Sequence, residues 1–530
     1  MRRVMDISEP IRLFNTVRYL KAKQIYYRLY YTLSKKIKSA LEIRPAYRIE
    51  VSGTPLKLHK SVVPESSYSG EKEFTFLNLS KRFENEIDWN FPGYGKLWTY
   101  NLNYFDFLMQ EDMSRETGIE LIKEFISDIE NIKDGLEPFP ISLRGINWIK
   151  FISKHKIEDR EIDASLRAQY EILKKHPEYH LLGNHLLENG FSLLFGAFYF
   201  RDEKLYKKAK EILEGELEEQ ILEDGAHFEL SPMYHQIMLY RVLDCINLLK
   251  HNDFGKGGLL ELFIQKASVM LGWLENMKLP DGSIPLLNDS ALKIAPTVKQ
   301  LEEYANSLGV EPLRKPLGDS GYRVFEKGRY TIVVDIGRIG PDYIPGHAHS
   351  DTFSFVLYVD GKPLIVDTGT STYETNERRF IERSTAAHNT VVLDGLEQSE
   401  VWGGFRVARR AYVHDRVESE NFIRASHDGY RSRLNAIHER EFVFNENSIK
   451  ISDRIVSDRP HDARFYLHFH PDADPALIEG TIVCSNAVLS VKSADIGLSD
   501  YFYAPEFNRV EKAVVAELSF KKEMEIEIIL

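Results

Sequence analysis

Cysteine is nearly absent from this chain: only Cys245 and Cys484 occur in 530 residues. Two thiols so far apart exclude a disulfide framework and suit a reducing compartment. No uninterrupted run of about 18 apolar residues occurs, so no transmembrane helix is expected. The opening Met-Arg-Arg-Val-Met-Asp-Ile-Ser-Glu-Pro lacks the apolar core of a secretory signal. The chain therefore reads as cytoplasmic, with membrane association open. A periplasmic location is the alternative if a leader has been removed. Positive charge is also in deficit overall. A formal net charge of −12 argues against a nucleic-acid binder, and a polyanionic substrate would need a local basic cleft.

Against that background, residues 11–40 stand out because they contain eight Lys/Arg and no Asp/Glu. Tyr26, Tyr27, Tyr30 and Tyr31 interleave with them. The pattern predicts a basic amphipathic helix. Such a helix either makes peripheral contact with an anionic membrane or a partner, or packs on the body with its basic face in water.

A chain of this length calls for two or three domains. Residues 1–95 read as a basic helix with an irregular extension, rich in Pro and Ser turns. Residues 96–315 carry amphipathic helical runs near 119–134, 160–175, 182–199, 203–218, 231–251, 257–277 and 297–308. Short links between them predict antiparallel pairs in an all-α array or toroid. Over residues 316–530 the period shifts to two, as in Tyr330–Asp335, Phe355–Val359 and Arg440–Phe444. Asp360-Gly361 between two such runs predicts a hairpin. The expected fold is multidomain α+β, a helical array followed by an antiparallel β-sandwich, with a cleft at the junction.

Three constellations carry candidate chemistry. In Gly346-His347-Ala348-His349-Ser350-Asp351 the two histidines would share a face of an extended backbone. Asp367 and His388 follow at strand-like spacings, so a metal cage is expected, with a divalent ion such as Zn²⁺ in a structural role. A hydrogen-bonded His/Asp network is the bland alternative. The second pair, His468 and His470, reads as structural. In Asn184-His185-Leu-Leu-Glu188 the amide, imidazole and carboxylate fall on one side of a helix within a turn, where they could bind a carboxylate and position a proton. A polar helix start capped by Asn184 would look the same. In Ser231-Pro232-Met233-Tyr234, Ser-Pro reads as a cap followed by the first helical residue. Tyr234 then lies in the first turn, where the helix dipole would lower its pKa from about 10 and equip it as base and acid. A core tyrosine is the alternative. Basic residues Arg378, Arg379, Arg383, Arg406, Arg409 and Arg410 could supply the missing positive cleft or merely form surface ion pairs.

With these motifs in order and at these spacings, together with Ala387-His388-Asn389-Thr390, the chain resembles the heparinase II/III-like polysaccharide lyases, within the alginate lyase/heparinase superfamily. The resemblance covers residues 95–420. Leu97-Trp98-Thr99-Tyr100-Asn101-Leu102-Asn103-Tyr104-Phe105 resembles members encoded with bacterial surface-polysaccharide genes. The resemblance implies an incomplete (α/α) toroid before the β-sandwich. It also implies β-elimination on a uronic-acid-containing glycan, in capsule, exopolysaccharide or O-antigen metabolism. Asn184, His185, Tyr234 and His347 would be catalytic: Asn184 neutralising the uronate with help from Glu188, Tyr234 as base or acid, and His185 or His347 in the complementary proton role. Glu188, Arg378, Arg383 and Arg406 would bind substrate, and His349, Asp367 and His388 would hold the metal. Two other classes compete. One is a non-catalytic glycan-binding or polysaccharide-assembly protein that retains the fold. The other is a cupin-like metal enzyme, which the missing Glu after the histidine pair disfavours.

Overall fold

The computed structural model describes residues 8–255 and 257–530. The basic stretch forms α1 (Ser8–Val17) and α2 (Ala22–Ala40). An extended segment follows, carrying a three-stranded antiparallel meander of Tyr68–Gly70, Glu73–Phe76 and Leu79–Arg82. The helical array comprises α3 (Lys96–Tyr104), α4 (Arg115–Asp128), α5 (Pro138–His155), α6 (Arg160–Lys175), α7 (Gly183–Phe200), α8 (Glu203–Gln220), α9 (Pro232–His251), α10 (Leu259–Met277) and α11 (Val298–Ser307). Ser114, Asp159, Asp202, Ser231 and Thr297 cap α4, α6, α8, α9 and α11, each side chain accepting a backbone N–H of the first turn.

The amphipathic runs read from sequence all appear; the short α3 is an additional helix, and so is the long α5. Residues from Pro140 to Ser153 are buried on every side of it, Arg144 and Lys150 included. Without a solvent face there is no 3.6-residue polar period to detect. Arg144 donates to the carbonyls of Asn103 and Gly135 at 3.0 and 2.9 Å, and Lys150 pairs with Asp244 at 2.8 Å. These partners make the buried cations tolerable. Helix α7 is likewise buried almost throughout and packs on α5 and α8.

Beyond residue 320 the chain is an antiparallel β-sandwich. One sheet joins Tyr322–Lys327, Tyr330–Asp335, Phe355–Val359 and Lys362–Ile365. The expected Asp360-Gly361 turn closes its last hairpin, with φ of 52° and 75° and Val359 paired to Lys362. Both positive φ values match the primed turn that hairpin twist favours. A long sheet runs from Val413–Ser419 through Phe422–His427, Ile437–Phe444, Ser448–Val456 and Glu523–Ile529. Facing sheets bury Phe355, Leu357, Phe442, Ile451, Phe465 and Leu518 in one core. Along Ile437–Phe444 every second residue is buried, the alternation that one-sided packing produces.

A separate apolar cluster joins the two layers. Leu230, Trp273, Met277 and Leu287 from the helical side pack on Tyr322, Val333, Val356 and Tyr358 from the β side. This contact aligns the start of α9 with the loops of the sandwich.

Candidate active site

Each candidate side chain is presented by a short segment with unusual backbone. Leu182, Leu230 and Asn288 have φ of 66°, 58° and 56°. Such values are rare for leucine and persist where surrounding contacts over-determine them. Leu182 precedes Gly183 and Asn184 at the start of α7. Leu230 lies between Glu229 and Ser231, and Asn288 precedes Asp289. Hydrogen bonds bind these segments together. Asn288 Nδ2 and Tyr322 Oη both donate to the Leu230 carbonyl, at 3.1 and 2.6 Å. Ser231 Oγ donates to the Asp289 carbonyl at 2.7 Å while accepting from Tyr234 N at 3.2 Å. His349 N donates to Asn288 Oδ1 at 2.9 Å, and Asp289 N to the His347 carbonyl at 3.0 Å.

Asn184, His347 and Tyr234 converge. Asn184 Nδ2 lies 3.4 Å from His347 Nε2, and the Tyr234 and His347 rings are 3.9 Å apart at 30°. Asn184 Nδ2 also donates to both Glu229 oxygens, at 3.1 and 2.9 Å. The Tyr234 hydroxyl sits 3.3 Å from that of Tyr373. The His347 side chain is 12% exposed, so the cluster is largely withdrawn from solvent.

Residues 346–351 form a loop rather than a strand. The two imidazoles do not share one face; they grip a single carboxylate. Asp289 Oδ2 accepts from His347 Nδ1 at 2.9 Å and Oδ1 from His349 Nε2 at 2.8 Å. Arg379 holds both oxygens, at 2.5 and 2.7 Å. Burial works against an ionised Asp289, but Arg379 and the two histidines keep its carboxyl well below the usual range. An ionised carboxylate only accepts hydrogen bonds, so His347 Nδ1 carries a hydrogen, and Nε2 faces Asn184 Nδ2 and, at 3.5 Å, Glu229 Oε2.

The pKa expectation for Tyr234 is reversed. Burial, with Asp289 and Glu229 nearby, pushes its phenol well above 10, and one helix terminus does not offset a low-dielectric setting. Tyr234 is therefore held protonated. His185 projects one residue further round α7 and pairs with Glu178 Oε1 at 3.0 Å over the ring of Phe139. Burial lowers its basicity, yet Glu178 outweighs this and the His185 pKa is raised.

Three of the expected substrate contacts are placed differently. Glu188 is wholly buried and accepts from Arg241 Nε at 3.1 Å, tying α7 to α9. It lies on the same side of α7 as Asn184 but one turn further along, where Arg241 of α9 covers it. Arg383 is buried and donates to the carbonyls of Ala348, Gly403 and Gly404, bracing the histidine loop. Arg378 is committed to Glu382 at 2.7 Å and the Phe502 carbonyl at 2.8 Å. Arg406 is exposed, stacked over Trp402 at 4.7 Å.

Sequence reasoning overlooked Asp289, Glu229, Tyr373 and Glu178, and offered Arg379 only for a basic cleft or a surface ion pair, whereas it is buried on Asp289. Their only local signal is polar residues in turns, such as Asn288-Asp289-Ser290. Except for Glu178, seven residues from His185, their meaning depends on partners 45–139 positions away.

The metal candidates lie behind this cluster. His388 Nδ1 is 2.7 Å from Asp367 Oδ2, and the His349 and His388 rings are 5.2 Å apart. Among the described residues, His349 Nδ1, His388 Nε2 and Asp351 Oδ2 are buried without a partner. Two imidazole nitrogens and a carboxylate oxygen are the donor set a Zn²⁺ site uses, and a carboxylate behind a ligand histidine is its usual support. The donor chemistry fits a metal, although no group of three or more His, Cys, Asp or Glu side chains among the described residues closes into a cage. His468 and His470 are structural: His468 Nδ1 meets Asn389 at 3.1 Å and His470 caps Asp472 N.

Residues 148–313 match the heparinase II/III N-terminus family, and residues 310–528 match the heparinase II/III-like C-terminal family. The chain belongs to the heparinase II/III-like family. It is 26% identical over 253 residues to a heparin-sulfate lyase of Bacteroides stercoris, covering 42% of this chain and 37% of that protein. A heparin-sulfate lyase of Pedobacter heparinus is 25% identical over 341 residues, covering 59% and 50%. The chain thus spans half or less of the length of these relatives. The crystal structure of a heparinase III superposes with a TM-score of 0.69 at 14% identity, over 98% of this chain and 93% of that one. Its toroid-plus-sandwich architecture is the fold of this heparinase II/III-like chain.

Proposed function

We propose that this protein is a polysaccharide lyase that cleaves an acidic, uronate-containing glycan by β-elimination. The convergence of Asn184, His347 and Tyr234 from three distant segments carries this reading, and the heparin-sulfate lyases among its relatives support it. A uronate C5–H is too weakly acidic to lose until the adjacent carboxylate is neutralised. Of the two hydrogens on the Asn184 amide, Glu229 holds one and the other faces His347 Nε2 across a long 3.4 Å contact, which a sugar carboxylate would replace. His347 Nε2, with its tautomer set by Asp289, accepts the C5 proton. Tyr234, held protonated by burial, donates to the glycosidic oxygen as the C4–O bond breaks and the C4–C5 double bond forms. His185, oriented by Glu178 and one residue along from Asn184, would assist on the carboxylate side. Arg406 contributes positive charge for an anionic chain.

His349 and His388, with Asp351 as the carboxylate donor and Asp367 held behind His388 rather than on the ion, would hold a divalent metal, Zn²⁺ by donor type, which would tie the loops of the sandwich behind the cleft. The setting is synthesis or trimming of a capsule, exopolysaccharide or O-antigen on the cytoplasmic side, supported by the Leu97–Phe105 segment. Fractionation that found the protein free in the periplasm would refute this location.

The test is incubation with a panel of uronic-acid polysaccharides, following ultraviolet absorbance of the new double bond. Tyr234→Phe should lower turnover by at least about 100-fold. Its stability should change by less than about 1 kcal/mol, because the hydroxyl has only the 3.3 Å contact to Tyr373. Full activity in that variant would refute the mechanism. No product from any uronate polymer with the folded wild type would favour a glycan-binding role.

A further inference from the structure

Nearly half of the exposed large apolar side chains among the described residues fall within residues 11–43. On α2, Ile25, Leu29, Leu33 and Ile37 recur every fourth residue, and Tyr26 and Tyr30 broaden the stripe. Leu29 is 62% and Leu33 58% exposed; on α1, Phe14 is 65% exposed beside Leu13 and Val17. Isolated exposed leucines need no explanation, but a continuous apolar strip on two adjacent helices does.

The strip is not a helix face waiting to fold onto the body, because the other side of each helix is already fixed there. Gln24 Nε2 donates to the carbonyls of Leu181 and Tyr343 at 3.0 and 3.2 Å. Tyr31 Oη donates to the Pro177 carbonyl at 2.7 Å, and Tyr27 stacks on Tyr179 at 4.7 Å. On α1, Thr16 Oγ1 accepts from Trp402 Nε1 at 3.0 Å. The two helices therefore span the helical and β layers and present their remaining face outward. Arg18, Lys23, Arg28, Lys35 and Lys36 are exposed on the same stretch of chain, within reach of the strip's edges for such long side chains. Among the described residues of the stretch, only Lys21 forms an ion pair, with Glu219. Unpaired cations on a chain of net charge −12 mark a local demand for an anionic partner.

We propose that α1 and α2 form a foot that seats the protein on an anionic lipid surface, with the apolar strip in the acyl boundary and the lysines and arginines among the headgroups. Apolar side chains flanked by cations distinguish a lipid surface from an acidic glycan, which would engage the charges but leave leucines in water. The attachment of α2 at Leu181, just before Asn184, would place the cleft beside that surface.

The test is co-sedimentation of the full chain with vesicles of phosphatidylcholine, alone or mixed with phosphatidylglycerol. Binding should favour the mixed vesicles and weaken at high salt. Leu29→Ser/Leu33→Ser should cut partitioning by about 10- to 100-fold, since each leucine otherwise leaves water. Its circular dichroism and melting temperature should match the wild type. Lys35→Gln/Lys36→Gln should reduce the preference for phosphatidylglycerol. Absence of binding to either vesicle would overturn the proposal. So would light scattering that showed a dimer which Leu29→Ser/Leu33→Ser converts to monomer, because a second copy would then cover the strip. Neither result bears on lyase activity, so the two proposals fail separately.

Discussion

Asp289 is the residue whose loss is most diagnostic. It is fully buried, accepts from His347 and His349, and holds both oxygens against the equally buried Arg379. Asp289→Ala strands a guanidinium away from water, and breaking a buried pair from one side costs about 3–5 kcal/mol. Arg379→Met leaves Asp289 with only its two imidazole partners and should cost a similar amount. The double variant removes both charges, so its cost should lie nearer either single loss than their sum, a coupling of at least about 2 kcal/mol. Urea unfolding followed by circular dichroism measures all three. Catalysis should respond more sharply still. Without Asp289 nothing holds the hydrogen on His347 Nδ1, so turnover should fall by about 10²–10⁴ with KM nearly unchanged. Asp289→Asn, which keeps the shape, should recover much of the stability and little of the turnover. Additive losses, or an Asp289→Ala protein that is stable and active, would refute the assignment of Asp289 as the residue positioning His347.

Three further outcomes are expected. Chelation should lower the melting temperature while leaving turnover of the still-folded protein intact; abolished turnover without destabilisation would contradict a structural metal. His235 and His227 are buried and held neutral, with pKa values lowered by burial to about 3 and about 4. Below pH 6.5 the unfolded chain takes up protons that the native one refuses, so stability should fall with decreasing pH by about 1 kcal/mol per unit for each histidine. Replacing His235 with Gln should flatten that slope, and an unchanged slope in denaturation midpoints would show that other groups set it. Glu188→Ala should destabilise by about 3–5 kcal/mol through the stranded Arg241; a raised KM in a protein of normal stability would instead restore Glu188 as a substrate contact.

Much of the fold was readable because its elements have one wet face. The Ser231-Pro232 start of α9, the Asp360-Gly361 hairpin and the alternation along Ile437–Phe444 each carry a local signal that the structure reproduces. Helix α5 was not readable because uniform burial erases the period. At the site, Asn184, Tyr234 and His347 could be proposed from motif, whereas Glu188 and Arg383 have the right chemistry but face inward. A residue's side of a helix can be counted from sequence, but whether that side meets a cleft or a neighbouring helix cannot.

Local sequence alone therefore settled the order of helical and β regions, the Ser231 cap, the Asp360-Gly361 turn and the basic stretch at residues 11–40, since these depend on neighbours a few residues away; the cap reading of Asn184 fails, because α7 starts after Leu182. Tertiary structure decided which histidine meets Asn184, which arginine neutralises Asp289, and the protonation of Tyr234. Those outcomes depend on burial and on charges contributed by distant segments, and only the packed junction between helices and sandwich brings them within a few ångströms.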